Sequence, residues 1–279
     1  MKFSDVAALV IDMDGVLWRD SEPLPGLVEL FDWLAESGTP YVLATNNSTN
    51  SPARYVAKLA SMGVEGVPVE RIITSGTATA AYMQRRYPAG TPVHVFGMDS
   101  LRQIIEAAGF DISDEEPAQV VVAGGNFNTT YEMLKRATLA LRAGADFIGT
   151  NPDTTFPTPE GLVPGAGSLI AALEAASDRR ATIIGKPATP MFEAALELLG
   201  TTKAGTVMLG DRLNTDIAGA RNAGLRSVML FTGVTTPEEL ASADNDIWPD
   251  VALDGLPDLL RAWAGDDWYR EKLKAKRGR

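Results

Sequence analysis

Short apolar runs of strand length alternate with segments of helical period along nearly the whole chain, and this alternation narrows the fold more than any other feature. Val6–Ile11 is continuous and rich in β-branched residues, and too short for a buried helix. Leu27, Leu30, Phe31 and Leu34 then recur at helical spacing up to Gly38. Tyr41–Ala44 reads as a second strand, and Ser51 before Pro52 as the start of a helix that Gly63 closes. Further on, strands at Val93–Phe96, Val120–Ala123 and Asp146–Thr150 alternate with helices at Leu101–Ala108 and Tyr131–Leu141. A Pro- and Gly-rich loop, Asn151–Gly167, leads into a helix at Ser168–Ala176. The last section reads strand Thr182–Ile184, helix Met191–Leu199, strand Thr206–Leu209, helix Ile217–Ala223 and strand Ser227–Leu230. Thr236-Pro237-Glu238-Glu239 then has the form of a capping box. Strands that are apolar throughout are covered on both faces, so the expected class is α/β, a parallel sheet wrapped by helices.

Composition removes most kinds of chemistry. The 279 residues suffice for about two domains. With 25 Lys+Arg against 36 Asp+Glu, the net charge of -11 argues against binding nucleic acid or an anionic membrane. The absence of cysteine excludes disulfides, thiolate zinc sites and a cysteine nucleophile. The single histidine, His94, stands between Val93 and Val95 in an expected strand and reads as structural. What is left is carboxylate, lysine, hydroxyl and hard-metal chemistry. Val6–Ile11 stops at Asp12, too short for a signal peptide, and no apolar stretch approaches the ~20 residues of a membrane span. The expectation is a soluble, cytoplasmic protein.

Ligands of open parallel sheets sit outside the carboxyl ends of the strands. Four polar clusters fall there: Asp12 and Asp14, Thr45-Asn46-Asn47, Gly185-Lys186-Pro187, and Gly210-Asp211 through Asp216. Gly15 follows Asp14 at once, so the chain turns and the two carboxylates take separate tasks. A carboxylate beside a hard cation is a useful nucleophile towards phosphorus. The Thr45 hydroxyl and the neighbouring amides suit phosphate oxygens, and Lys186 supplies the fixed positive charge that phosphoryl transfer needs. Asp211 adds an oxygen ligand, and all-oxygen coordination favours magnesium.

Asp12-Met13-Asp14-Gly15-Val16-Leu17, Thr45-Asn46-Asn47, Gly185-Lys186-Pro187 and Gly210-Asp211-Arg212-Leu213-Asn214-Thr215-Asp216, in this order, resemble the motifs of the haloacid dehalogenase superfamily. Within it the chain is similar to the NagD-type, p-nitrophenylphosphatase-like phosphatases, a likeness that runs from about Val6 to Gly233. The resemblance implies magnesium-dependent hydrolysis of a small phosphomonoester through an aspartyl phosphate. It gives Asp12 as nucleophile and Asp14 as the group that protonates the leaving oxygen and then activates water. Asp12 and Asp211 would bind magnesium through side chains and Asp14 through its carbonyl, with Asp216 organising the metal's surroundings. Thr45, Asn46 and Lys186, with Asn47 beside them, would hold phosphate. Asn151-Pro152-Asp153 and Pro164-Gly165 resemble the substrate-facing stretch of the subgroup, which makes Asp153 and Phe156 substrate-binding candidates.

The spacing of the motifs fits that subgroup. Between Asp14 and Thr45 there is room for one helix and its loops, whereas a whole α/β section lies between Thr45 and Lys186. The expected organisation is a discontinuous Rossmann-like core, 1–80 and 184–265, an inserted α/β cap, 81–183, and a basic tail, 266–279. Where many relatives carry glycine after the first motif, this chain has Trp18-Arg19-Asp20-Ser21, an expected flap over the site. The resemblance also implies a small phosphorylated metabolite as partner and pairing into a homodimer. Two rivals are a catalytically silent binding or scaffold protein, against which the intact Asp12, Asp14, Lys186 and Asp211 set speaks, and a mutase, against which the missing helical cap speaks.

Overall fold

The apolar run after Asp5 forms a strand, Ala8–Ile11, in the computed structural model, and all four of its residues are buried, as a strand covered on both faces requires. The structure describes residues 5–113, 117–158, 160–243 and 247–264; the basic tail expected at 266–279 lies outside them. Two units emerge. One takes in the described residues of Met1–Ala44, Val56–Ile72 and Ala195–Arg279, the other Thr45–Tyr55 and Ile73–Ala194.

In the first unit neighbouring strands run in the order Val251–Leu253, Arg226–Leu230, Thr206–Gly210, Ala8–Ile11 and Tyr41–Thr45, all paired in parallel. The helix Leu27–Ser37 buries Leu27, Leu30 and Leu34, the stripe that its sequence spacing marks. It ends at Gly38, whose φ of 66° gives the left-handed turn glycine adopts without strain. Thr236 and Glu239 make the expected capping box in front of the helix Pro237–Ser242.

The second unit has its own parallel sheet, in the order Thr182–Ile183, Asp146–Gly149, Val120–Ala123, Pro92–Phe96 and Asp111–Ile112. Helices Tyr131–Arg142 and Ala166–Ser177 contribute Leu141, Ile170 and Leu173 to a core with Phe96, Val121 and Phe147. His94 is buried within its strand. No helix among the described residues is long and apolar enough to cross a membrane.

Several elements depart from the sequence expectation. Ser75–Gln84 is a helix with Ser75, Gly76, Ala78, Thr79, Ala80, Tyr82 and Met83 all buried; buried nearly all round, it has no polar face to produce a period. Thr155–Thr158 and Gly161–Pro164, expected as loop, pair as an antiparallel hairpin. A two-stranded hairpin tolerates Pro157 and Pro164 because half its backbone N–H groups need no ladder partner. The expected helix Ile217–Ala223 begins instead with a π-helical turn, Leu213–Ile217, followed by the helix Ala218–Ala223.

Candidate active site

Register brings the first acidic residues together. Ile11 pairs with Leu209, and the N–H of Asp12 extends the ladder to the Leu209 carbonyl at 2.8 Å. Asp12, directly after one strand, therefore meets Asp211, directly after its neighbour. One carboxylate oxygen from each of Asp12, Asp211 and Asp216 lies within 4.8 Å of the others, and all three residues are buried. Like charges this close in a dry site repel strongly unless a cation shares them. The donors are hard oxygens, which fit magnesium and not a soft metal.

Backbone groups hold this trio. Asp216 Oδ2 accepts from the N–H groups of Asp211 at 3.2 Å and Arg212 at 3.1 Å. The wider π-helical turn carries Asp216 back to the strand end, a use to which such turns are often put. Asp211 Oδ2 accepts from Val234 N–H at 2.7 Å, and its carbonyl accepts from Thr235 N–H at 3.1 Å. The segment Thr232–Thr235 was not singled out from sequence. Its signal was its place, just beyond the strand Arg226–Leu230 at the same end of the sheet. A Cβ at Gly233 would stand 1.9 Å from Asp211 Oδ2. Gly233→Ala should therefore displace Asp211 and raise the magnesium concentration for half-maximal rate by about 10- to 100-fold. A magnesium titration of the rate checks this; an unmoved midpoint would show that Asp211 keeps its place.

Asp14 is set apart from the trio. Gly15 takes φ +86°, and a Cβ there would come within 2.5 Å of Asp211 Oδ2, so the turn needs glycine. The Thr232 hydroxyl donates to the Gly15 carbonyl at 2.6 Å and holds that turn. Asp14 is exposed, and its Oδ1 accepts from Trp18 Nε1–H at 2.8 Å. Of the four expected metal residues, three bring their carboxylates together; for Asp14 the resemblance implies only the backbone carbonyl. The expected flap is a short hairpin, Trp18–Arg19 against Glu22–Pro23, with Trp18 wholly buried. Arg19 ties it down through Nη2 to the Thr232 carbonyl at 2.6 Å. Lys58 Nζ lies 4.1 Å from the centre of the Trp18 ring. Burial pushes the Lys58 ammonium below the usual lysine range, against the upward pull of the Asp14 and Asp20 carboxylates.

In the second unit, Asn46 links the other motifs. Its Nδ2 donates to Asp153 Oδ2 at 3.1 Å, Asp153 Oδ1 at 3.3 Å and the Lys186 carbonyl at 2.8 Å. These bonds commit the side-chain donors of Asn46 within the protein. Asn151 supports the group from both sides, donating to the Asn46 carbonyl at 2.7 Å and accepting from Asp153 N–H at 3.1 Å. A Cβ at Gly185 would meet Asn46 Oδ1 at 2.6 Å, which explains the glycine before Lys186. Lys186 is 2% exposed and precedes a cis proline peptide. Thr45 is buried, and its Oγ1 accepts from Asn47 N–H at 3.1 Å. Asn47 turns its own Oδ1 to Thr49 N–H and Oγ1, at 2.8 and 2.7 Å, and so shapes the loop. Phe156 sits on the hairpin against Phe127, ring centres 5.3 Å apart. Asp153 and Phe156, given one task by the sequence, thus differ: one is tied to Asn46, the other lies on an aromatic pair.

The first unit thus holds a buried acidic trio at the ends of parallel strands and the second a buried lysine after its own strand, and comparison with known proteins identifies the class. A family model described as haloacid dehalogenase-like hydrolase matches residues 9–111, and a second, HAD-hydrolase-like, matches 183–259. The chain belongs to the haloacid dehalogenase-like hydrolases. It is 35% identical over 237 residues to the acid sugar phosphatase of Staphylococcus epidermidis, covering 85% of this chain and 91% of that one. The crystal structure of 4-nitrophenylphosphatase from Thermotoga maritima superposes with a TM-score of 0.87 at 37% identity, over 93% of this chain and 98% of that one. The glycerol phosphate phosphatase of Mycobacterium tuberculosis, solved with magnesium, has a TM-score of 0.85 at 31% identity, over 92% of this chain and 77% of the other.

Proposed function

We propose that this protein is a magnesium-dependent phosphomonoesterase of small sugar or polyol phosphates. The observation that carries this reading is the buried trio Asp12, Asp211 and Asp216, with Asp14 outside it, exposed and bonded to Trp18. That separation suits two tasks, nucleophile and proton carrier, which two equivalent carboxylates could not share. Asp12 forms a bond to phosphorus as the bond from phosphorus to the alcohol oxygen breaks, and Asp14 gives that oxygen its proton. Asp14 then takes a proton from the water that attacks phosphorus, which frees Asp12 and inorganic phosphate. Magnesium, when bound, offsets the negative charge of the carboxylates and the phosphate. Lys186 and the Thr45–Asn47 segment hold the part of the substrate that every phosphomonoester has.

In this reading residues 81–183 form the cap that sets specificity and 1–80 with 184–265 the core, although the compact units group 45–55, 73–80 and 184–194 with the cap's sheet. A separate parallel sheet drawn from residues 92–183 supports the division, and the names of the sugar and glycerol phosphate phosphatases support the substrate class. The test is kcat/KM across sugar, glycerol, glycolate, nucleotide and pyridoxal phosphates with magnesium. Sugar or polyol phosphates should lead; a nucleotide or pyridoxal phosphate in front would overturn the substrate class. Phe156→Ala should change relative kcat/KM among these substrates by about 10- to 200-fold, the scale of a shape contact in a pocket, without moving the magnesium dependence. Equal losses on every substrate would remove Phe156 from the specificity surface.

A further inference from the structure

Trp18 is wholly buried, yet its single polar atom reaches an exposed carboxylate. Nε1–H donates to Asp14 Oδ1 at 2.8 Å, and an indole has no other hydrogen bond to give. The ring is fixed from several directions. Lys58 Nζ stands 4.1 Å from its centre and donates to the Asp20 carbonyl at 2.7 Å, so one ammonium clamps both the indole and the hairpin that carries it. The Trp18 carbonyl accepts from Gly15 N–H at 2.8 Å, and Trp18 pairs with Pro23 across the hairpin. An aspartate at an exposed turn otherwise has two free side-chain torsions, and a rigid donor removes that freedom on one oxygen. Because Nε1–H occupies Oδ1 as a donor, a proton carried by this carboxyl resides on Oδ2.

We propose that Trp18 is a positioning residue for proton transfer, its Nε1–H fixing Oδ1 of Asp14 so that Oδ2 alone carries the proton to the leaving alcohol, with Lys58 holding the indole in place. The inference rests on Asp14 being the proton carrier proposed above. It gives a buried tryptophan a task that packing alone does not: phenylalanine fills most of the same space but offers no N–H.

The test compares two leaving groups. p-Nitrophenolate departs with little help from an acid, whereas the alkoxide of glycerol 3-phosphate must be protonated as it leaves. The parameter kcat/KM covers events up to loss of the alcohol, so the later hydrolysis, common to both substrates, does not enter. Trp18→Phe should lower kcat/KM for glycerol 3-phosphate by about 10- to 100-fold more than for p-nitrophenyl phosphate, the range of one hydrogen bond to a charged group. Lys58→Met, which keeps the stem and removes the clamp, should shift the ratio the same way by less. Equal losses on both substrates, or no loss, would overturn the inference. If Trp18→Phe does not fold, an unchanged ratio in Lys58→Met overturns it. Asp14→Asn separates the two readings. Glycerol 3-phosphate turnover surviving in Asp14→Asn would defeat the proton-carrier assignment itself. Its loss there, together with an unchanged ratio in Trp18→Phe, would defeat only the role given to Trp18.

Discussion

Asp12→Asn should abolish hydrolysis of p-nitrophenyl phosphate while leaving the protein folded and at least as stable as the parent. The carboxamide has the same shape, and the backbone of Asp12 stays pinned by its bond to the Leu209 carbonyl, so nothing in the sheet has to move. The lost charge relieves the repulsion among three buried carboxylates within 4.8 Å of one another. In chelator, therefore, the thermal midpoint should be unchanged or raised. Turnover should fall by at least about 10³-fold, since an amide is a poor nucleophile and removal of an enzymatic nucleophile costs up to about 10⁶. Steady-state rates and thermal unfolding, measured on the same preparation, decide the point. Substantial residual activity in a folded variant would take the nucleophile assignment away from Asp12.

Chelation should silence the protein and magnesium restore it, and zinc should not replace magnesium equally. The trio offers only carboxylate oxygens, which suit a hard cation that keeps part of its water shell. Asp211 is held in place by Val234 N–H on its side chain and Thr235 N–H on its carbonyl. Asp211→Ala should raise the magnesium concentration for half-maximal rate by more than about 100-fold, beyond what the loss of an outer partner costs. The rate as a function of free magnesium, in buffered chelator, is the measurement. Full activity without divalent metal, or an Asp211→Ala titration that overlays the parent, would show that the trio is a structural cluster.

The sequence by itself determined the layering and the places where chemistry collects. Apolar runs such as Ala8–Ile11 and Val120–Ala123 cannot be solvated on either face, so they had to become inner parallel strands, and the polar residues after them had to lie at one end of a sheet. That much follows from local composition, which is why the four motifs were legible without coordinates. Elements with no periodic signature were not. The helix Ser75–Gln84 is built of small residues buried nearly all round, and Val251–Leu253 is only three residues long.

What only the tertiary structure decided is which atoms meet, because that depends on register and on backbone turns between residues distant in sequence. The pairing of Ile11 with Leu209 sets Asp12 beside Asp211; a one-residue slip would send the side chains to opposite faces. The π-helical turn Leu213–Ile217 carries Asp216 to the same place, ahead of the position at which a helix was expected to begin. The Asn46 side chain donates to Asp153 and to the Lys186 carbonyl, both far along the chain, since a buried amide is paired with whatever acceptors the fold brings to it. Trp18, expected on a flap, came to rest inside the protein with its one N–H on Asp14. No local pattern encodes that contact, because it depends on a hairpin folding back and on a lysine forty residues further along the chain arriving over the ring.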